Sequence, residues 1–146
     1  MSVLLDSNIL LRWAQPWHPS HGVAAQSVAR LLSQGAKVYY TPQNIIEFWN
    51  VATRPAANNG LGLSRDLVLA ELIHMERMLT LIPDSPAIFP AWKTLVVQYG
   101  VVGVQVHDAR LATVALVNHI PRILTFNTGD FSRYRHLSVL HPSNVQ

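Results

Sequence analysis

Four acidic residues of this chain, Asp6, Glu47, Asp108 and Asp130, have types and spacing that could support chemistry if folding brought them together. Carboxylates held close together repel one another and take up protons more readily, unless a cation lies among them. Oxygen ligands without cysteine favour hard ions, so the expected cofactor is Mg²⁺ or Mn²⁺. Such an ion activates water and stabilises a leaving oxyanion, which suits hydrolysis of a phosphodiester bond.

Each acid taken singly also has a simpler interpretation. Asp6 and Asp108 stand where helix N-caps are expected. Glu47 shares a predicted helical face with Asn50, which is typical of a solvated polar stripe. Asp130 lies in a glycine-containing turn, where aspartate is common. These interpretations leave unexplained why half of the eight acids of the chain would meet at one place.

Polar neighbours of the acids are candidates to orient carboxylates, waters or substrate. Those near the first and fourth predicted strands are Ser7, Asn8, Thr125 and Asn127. Arg110 follows Asp108 by two residues and could hold a phosphate, although an arginine in the first turn of a helix is more often solvated.

Strand-like and helix-like segments alternate along the chain and predict the frame that positions these residues. Strands are predicted at 3–5, 37–41, 81–82, 122–126 and 137–141. Helices are predicted at 8–14, 20–33, 42–53, 64–80, 87–99 and 108–118. The alternation predicts an α/β fold with a small parallel β-sheet of four to five strands and helices on both faces. We expect residues 1–146 to form a single domain of ordinary size.

Ligands of such folds bind at the carboxyl edge of the sheet. Asp6 follows the first strand directly, and Glu47 lies in the second turn of the helix that begins where the second strand ends. The helix that starts at Asp108 feeds the strand at 122–126 and must run antiparallel to it, so its first residue returns to the same edge. Asp130 follows that strand. The topology therefore predicts all four acids on one rim.

Composition narrows the possible functions. The chain has eleven Lys and Arg residues and eight Asp and Glu residues, which gives a net charge of +3. Nine of the eleven basic residues are arginine. If four acids share one pocket, the remaining surface is strongly basic, which suits an enzyme acting on nucleic acid. The absence of cysteine excludes disulfides and cysteine-based zinc sites. We expect a cytoplasmic protein, because no signal peptide or membrane-length apolar run is present.

Hydrophobic residues make up 49% of the chain, which is high for a protein without a membrane span. The excess apolar surface predicts contact with a protein partner or a second copy of the chain.

Four segments resemble the four acidic motifs of the PIN-domain nucleases, and most closely those of the VapC-type toxins of bacterial toxin–antitoxin pairs. They are VLLDSNILL at 3–11, IIEFWNVATRP at 45–55, HDARLATVAL at 107–116 and ILTFNTGDF at 123–131. The resemblance implies an endoribonuclease dependent on Mg²⁺ or Mn²⁺, which often dimerises and is inhibited by a small antitoxin. By this match the catalytic and metal-binding acids are Asp6, Glu47, Asp108 and Asp130, with Asn8 and Asn127 beside them.

The fourth motif departs from the family pattern, because Asn127 stands where an aspartate can occur. The fourth ligand is therefore Asn127, Asp130 or neither. The resemblance also does not establish toxicity, since PIN domains serve in RNA processing as well.

Two other classes of function compete with the nuclease. A phosphate-handling enzyme or receiver-like domain would also place an aspartate after its first strand. Aspartyl-phosphate phosphatases, however, need a second aspartate where Asn8 stands, and receiver domains use a lysine near the late strand. The chain has only Lys37 and Lys93. A catalytically inactive module of the same fold, binding RNA or protein, is the third class, and the presence of all four acids argues against it.

Overall fold

Five short strands lie side by side and parallel in the computed structural model, which describes residues 1–146. The strands are β1 (Ser2–Leu5), β2 (Lys37–Tyr40), β3 (Thr80–Leu81), β4 (Arg122–Leu124) and β5 (Ser138–Leu140). Their order across the sheet is β3-β2-β1-β4-β5, so β1 is central and β2 and β4 flank it. The predicted α/β class with a small parallel sheet is confirmed.

Six helices connect or flank the strands. They are α1 (Ser7–Trp13), α2 (His21–Ser33), α3 (Pro42–Thr53), α4 (Arg65–Met78), α5 (Ile88–Gln98) and α6 (Gln105–Val117). Short 3-10 turns span Ala56–Asn58, Thr128–Asp130 and Pro142–Asn144. None of the helices combines the length and the apolar character that a membrane crossing requires.

Local capping signals explain where α3 and α4 begin. The Thr41 hydroxyl accepts a hydrogen bond from the Asn44 backbone, and the Asn44 side chain accepts one from the Thr41 backbone, with Pro42 at the first helical position. The Ser64 hydroxyl caps α4 by accepting from the Leu67 amide. These reciprocal bonds satisfy amides that a helix start leaves free.

Alternating side chains of β1 feed two separate cores, one on each face of the sheet. Val3 and Leu5 pack into the core formed with α1 to α4, and Leu4 packs into the core formed with α5, α6 and the segment 131–137. All three side chains are fully buried. A strand covered on both faces has to be apolar throughout, which explains the uninterrupted run before Asp6.

The start of α6 differs from the sequence expectation. The helix begins at Gln105, after a left-handed Gly103, and Val104 occupies the N-cap position. Asp108 therefore lies in the first turn of the helix, and its interpretation as an N-cap is wrong. The turn at Gly103 lets the helix begin earlier than the polar residue alone suggested. Asp108 still lies at the carboxyl edge of the sheet, because α6 runs antiparallel to β4.

Candidate active site at the carboxyl edge of the sheet

The carboxylate of Asp6 is buried at the end of β1 and held by three donors. Oδ1 accepts from the Ser7 backbone amide at 2.7 Å, and Oδ2 accepts from the Thr125 hydroxyl at 2.7 Å and from Asn8 Nδ2 at 3.2 Å. Asp6 is thus the N-cap of α1 and a member of the edge cluster at once. Its two interpretations from the sequence are compatible.

Thr125 and Asn8 tie the end of β4 to the start of α1. The Thr125 hydroxyl also accepts from Asn8 Nδ2 at 3.2 Å and from the Asn127 backbone amide at 3.0 Å, while Asn8 Oδ1 accepts from the Phe126 amide at 3.3 Å. These bonds fix the position of the Asp6 carboxylate between two strands. The Asn127 side chain is exposed and does not cap the following 3-10 turn.

Glu47 is anchored through both carboxylate oxygens. Oε2 accepts from the Ser7 hydroxyl at 2.6 Å, and Oε1 accepts from Gln43 Nε2 at 2.8 Å. The Ser7 hydroxyl in turn accepts from the buried Asn44 Nδ2 at 3.1 Å. The half-buried Glu47 side chain therefore belongs to a network between α1 and α3, and not to a solvated polar stripe.

Burial raises the pKa of Asp6 to about 7. The Thr125 and Ser7 hydrogen bonds oppose this rise, whereas the charges of Asp108 and Glu47 add to it. Desolvation is the largest of these effects, so it outweighs the hydrogen bonds that the carboxylate accepts. At neutral pH, the Asp6 carboxyl is therefore partly protonated, unless a cation nearby stabilises its charged form.

Asp108 has the same two sources of perturbation. Burial is the largest cause that raises its pKa to about 6, and the charges of Asp130 and Glu47 contribute, while Arg133 lowers it. Asp130 is exposed and lies at the end of the turn Thr128–Asp130. The structure thus brings all four predicted acids into one electrostatic cluster at the carboxyl edge.

The donor chemistry of this cluster fits a hard divalent ion, because all four acidic groups offer oxygen and two of them are destabilised when charged. No three His, Asp or Glu side chains converge as placed into a ready-made cage for a metal ion. Mg²⁺ does not require such a cage, since it usually keeps several waters and binds one or two carboxylates together with a substrate phosphate. Asp6 and Asp108 could hold such an ion together with its waters.

Arg110 is committed to other protein groups. One guanidinium nitrogen forms an ion pair with Asp84 at 2.9 Å, and another donates to Gln43 Oε1 at 3.2 Å. Gln43 also donates to the His107 carbonyl at 2.8 Å. Arg110 therefore braces α3 against α6 beside the cluster.

Two residues that the sequence analysis did not single out, Gln43 and Asn44, bond to the cluster or its supports, and a third, Arg133, acts on Asp108 through its charge. Gln43 could have been found, because it precedes Glu47 by four residues and shares its helical face. Arg133 could not, because its position depends on how the segment after β4 folds back on α6.

A groove of about 450 Å³ opens beside Glu47 and Asp108, and its rim includes the exposed Ile46 and Val104.

Solved structures of toxin–antitoxin proteins resemble this chain in fold. VapBC2 from Rickettsia felis, bound to a DNA fragment from its promoter, superposes with a TM-score of 0.71 and 17% identity over 97% of this chain and 98% of that chain. DNA-bound VapBC from Salmonella typhimurium gives a TM-score of 0.72 and 14% identity over 97% of this chain and 98% of that chain. VapC20 from Mycobacterium tuberculosis, a sarcin-ricin loop cleaving toxin, superposes with a TM-score of 0.60 and 15% identity over 83% of this chain and 86% of that chain.

At these identities the likeness to the solved structures establishes the fold. Among curated proteins, none matches the sequence significantly. The family model of the PIN domain matches residues 3–137, which include every acid of the cluster. The chain therefore belongs to the PIN domain family.

Proposed function

We propose that this protein is a metal-dependent endoribonuclease, and that it is the toxin component of a type II toxin–antitoxin system acting in the cytoplasm. The observation that carries the proposal is the pair formed by the buried Asp6 and the half-buried Asp108, whose pKa values are raised by burial and by the charges of nearby acids. Such a pair is costly in a folded protein unless it serves a cation or a reaction. Its place at the carboxyl edge is the usual position of an active site in an open parallel sheet.

The proposed catalytic and metal-binding residues are Asp6, Glu47, Asp108 and Asp130. Bound Mg²⁺ or Mn²⁺ would supply an activated water and stabilise the leaving oxyanion. Thr125, Asn8 and the Ser7 amide fix the orientation of the Asp6 carboxylate. The Ser7 hydroxyl and Gln43 fix that of Glu47. Preset carboxylates lose little freedom when an ion binds, which favours affinity.

We propose Asp130, not Asn127, as the fourth member of the cluster. The charge of Asp130 raises the pKa of Asp108, so the two carboxylates lie within electrostatic reach of each other. The exposed position of Asp130 leaves its oxygens free for water, metal or substrate.

RNA is the proposed substrate because the acidic cluster lies in a chain that is otherwise strongly basic, with eleven Lys and Arg residues. The similarity to VapC20, described as a sarcin-ricin loop cleaving toxin, supports the same choice. Structural neighbours that are VapBC complexes support a cognate antitoxin as the protein partner. The exposed apolar residues beside the cluster, Ile46 and Val104, are suited to cover by a partner or by a second copy in a homodimer.

Thermal unfolding with Mn²⁺, with Mg²⁺ and with EDTA tests the metal site before any RNA is chosen. Binding to the native state alone raises the unfolding midpoint with metal concentration. We expect this rise in the wild type and its loss in Asp6→Asn. If neither metal raises the unfolding midpoint of the wild type, and total RNA is not cleaved, an inactive binding module would be favoured.

The toxin assignment has its own test. Induced expression of the wild type should arrest bacterial growth and degrade RNA, whereas expression of Asp6→Asn should not. Metal-dependent cleavage of purified RNA without growth arrest would instead identify an RNA-processing nuclease of the same family.

A further inference from the structure

A second arginine, Arg133, lies beside the acidic cluster on the segment that follows the turn Thr128–Asp130. This segment is fixed against α6 by three buried side chains, Phe131, Tyr134 and Leu137. The His136 ring adds a 2.9 Å hydrogen bond to the Ala112 carbonyl of α6. The backbone that carries Arg133 is therefore packed in place and is not a free loop.

The guanidinium of Arg133 is held by a side chain of α6, the helix that carries Asp108. Arg133 Nη2 donates to Gln105 Oε1 at 2.5 Å. Gln105 precedes Asp108 by three residues, and residues three apart on a helix are neighbours on one face. The Arg133 Cζ atom also lies 5.7 Å from the centroid of the Tyr134 ring. Consistent with this placement, the charge of Arg133 lowers the pKa of Asp108.

Arg133 forms no ion pair, in contrast to Arg110. The single ion pair of the chain within 4.0 Å joins Arg110 to Asp84. An arginine has five N–H donors in a planar fork, and Gln105 accepts from one nitrogen of Arg133. The Arg133 side chain is half-exposed, and its remaining donors have no partner within the protein. Of the two arginines, Arg133 is thus the one with capacity for an anionic ligand.

We propose that Arg133 binds a nonbridging phosphate oxygen of the RNA backbone at the acidic cluster, and that Gln105 positions its guanidinium for this contact. The proposal rests on the proposed endoribonuclease function and names the residue that holds its substrate. A phosphate that approaches four carboxylates is repelled by them, so a fixed cation at the rim would favour its binding in addition to a metal ion. The arginine fork matches two phosphate oxygens, which a lysine cannot do.

Binding of a short fluorescein-labelled single-stranded RNA of mixed sequence tests the contact directly. The measurement uses Asp6→Asn as background, so that the RNA stays intact, and fluorescence anisotropy as readout. Adding Arg133→Ala should weaken binding roughly tenfold or more, as expected for loss of a charged hydrogen-bonding group. The slope of log affinity against log salt should fall by about 0.7, the value for one phosphate contact of a single strand.

Arg135→Ala is the matched control. Arg135 carries the same charge two residues further along the same segment, is exposed, and its backbone amide, not its guanidinium, bonds the Tyr99 hydroxyl. We expect its loss to weaken binding by less than about twofold, as for a screened charge. Equal affinities of the Arg133→Ala and Arg135→Ala proteins would overturn the proposal, and so would absence of RNA binding by the background protein.

Two graded variants separate a phosphate contact from a structural role. Arg133→Lys keeps the charge without the fork and should recover part of the affinity. Gln105→Ala leaves Arg133 in place but unfixed, and should raise KM for RNA more than it lowers kcat. Both variants, and Arg133→Ala, should keep the Mn²⁺-dependent rise of the unfolding midpoint that we expect of the wild type. Loss of that rise in Arg133→Ala would assign the residue to the fold or the metal site instead.

The same set of proteins distinguishes failure of this proposal from failure of the proposed function. A wild type that cleaves RNA with Mn²⁺, while Arg133→Ala cleaves equally well, would overturn the phosphate contact alone. A wild type that binds RNA through Arg133 but cleaves none with either metal would overturn the endoribonuclease and leave the phosphate contact standing.

Discussion

The Thr125 hydroxyl donates a 2.7 Å hydrogen bond to Asp6 Oδ2, across 119 positions of the sequence. The bond joins the ends of β4 and β1, which are neighbours in the sheet. It orients the carboxylate but does not compensate its burial, since the pKa of Asp6 still rises to about 7. Asp6 is therefore held in position and takes up a proton more readily than an exposed aspartate does.

Replacing Asp6 by Asn should abolish RNA cleavage and the Mn²⁺-dependent rise of the unfolding midpoint. The side-chain oxygen of the new asparagine can still accept from the Ser7 backbone amide and cap α1, so the fold should survive. In EDTA at neutral pH the variant should be more stable than the wild type, because repulsion from Asp108 and Glu47 is removed. Asp66→Asn, at an exposed acid of α4, is the control and should cleave normally. A lower midpoint of Asp6→Asn in EDTA would show that Asp6 serves mainly as a cap.

The stability of the metal-free protein should fall as pH rises from about 4 to about 7. Burial raises the pKa of Asp6 from 3.8 to about 7 and that of Asp108 to about 6, so in this range the folded state binds more protons than the unfolded state. Each pKa unit corresponds to about 1.4 kcal/mol, which gives an effect of a few kcal/mol for the coupled pair.

Urea unfolding in EDTA across this pH range measures that effect. The difference between wild type and Asp6→Asn isolates the aspartate, because the seven histidines are common to both proteins. The variant should show a flatter profile. Identical pH profiles of the two proteins would contradict a proton held by Asp6. With saturating Mn²⁺ the stabilisation should instead grow with pH, since the ligands must be deprotonated.

Ser7→Ala should reduce the metal-dependent cleavage rate by roughly 10- to 100-fold, the usual effect of losing a group that orients a metal ligand. The hydroxyl donates to Glu47 and accepts from Asn44, so both lose a partner. A cost of about 1–3 kcal/mol in the free energy of unfolding should accompany the change. Cleavage kinetics and urea unfolding measure the two effects.

Ser33→Ala is the matched control for Ser7→Ala. Its exposed hydroxyl bonds only the Arg30 carbonyl at the end of α2, far from the cluster in the fold. It should leave the cleavage rate unchanged. A Ser7→Ala protein with the same rate as this control would remove the Ser7 hydroxyl from the orienting network.

Asp130→Asn should weaken metal binding and cleavage, but less than Asp108→Asn does. Asp130 is exposed and acts on Asp108 through its charge, so its removal should also lower the pKa of Asp108. Asn127→Ala should have little effect, because its backbone amide, and not its side chain, bonds Thr125. Metal titrations followed by unfolding midpoints rank the three variants. A larger loss in Asn127→Ala than in Asp130→Asn would assign the fourth ligand to Asn127.

The frame of the fold could be predicted because its signals are local. The apolar run at Val3 to Leu5, the Thr41–Pro42 cap and the glycine at 35 each act within a few residues. Parallel strands joined by helices then leave few possible arrangements. The error at the start of α6 has the same origin, since its N-cap, Val104, makes no side-chain cap and gives no polar signal.

By itself, the sequence determined which acids end or follow the strands, and through the parallel topology that they meet at one edge. Only the tertiary structure decided what each of them contacts. In the folded protein, Arg110 forms an ion pair with Asp84, and Arg133 donates a hydrogen bond to Gln105, 28 residues away along the chain. The physical reason is that hydrophobic periodicity and capping depend on neighbours along the chain. Hydrogen bonds and charge pairs depend on distances between elements, which the packing of both cores sets.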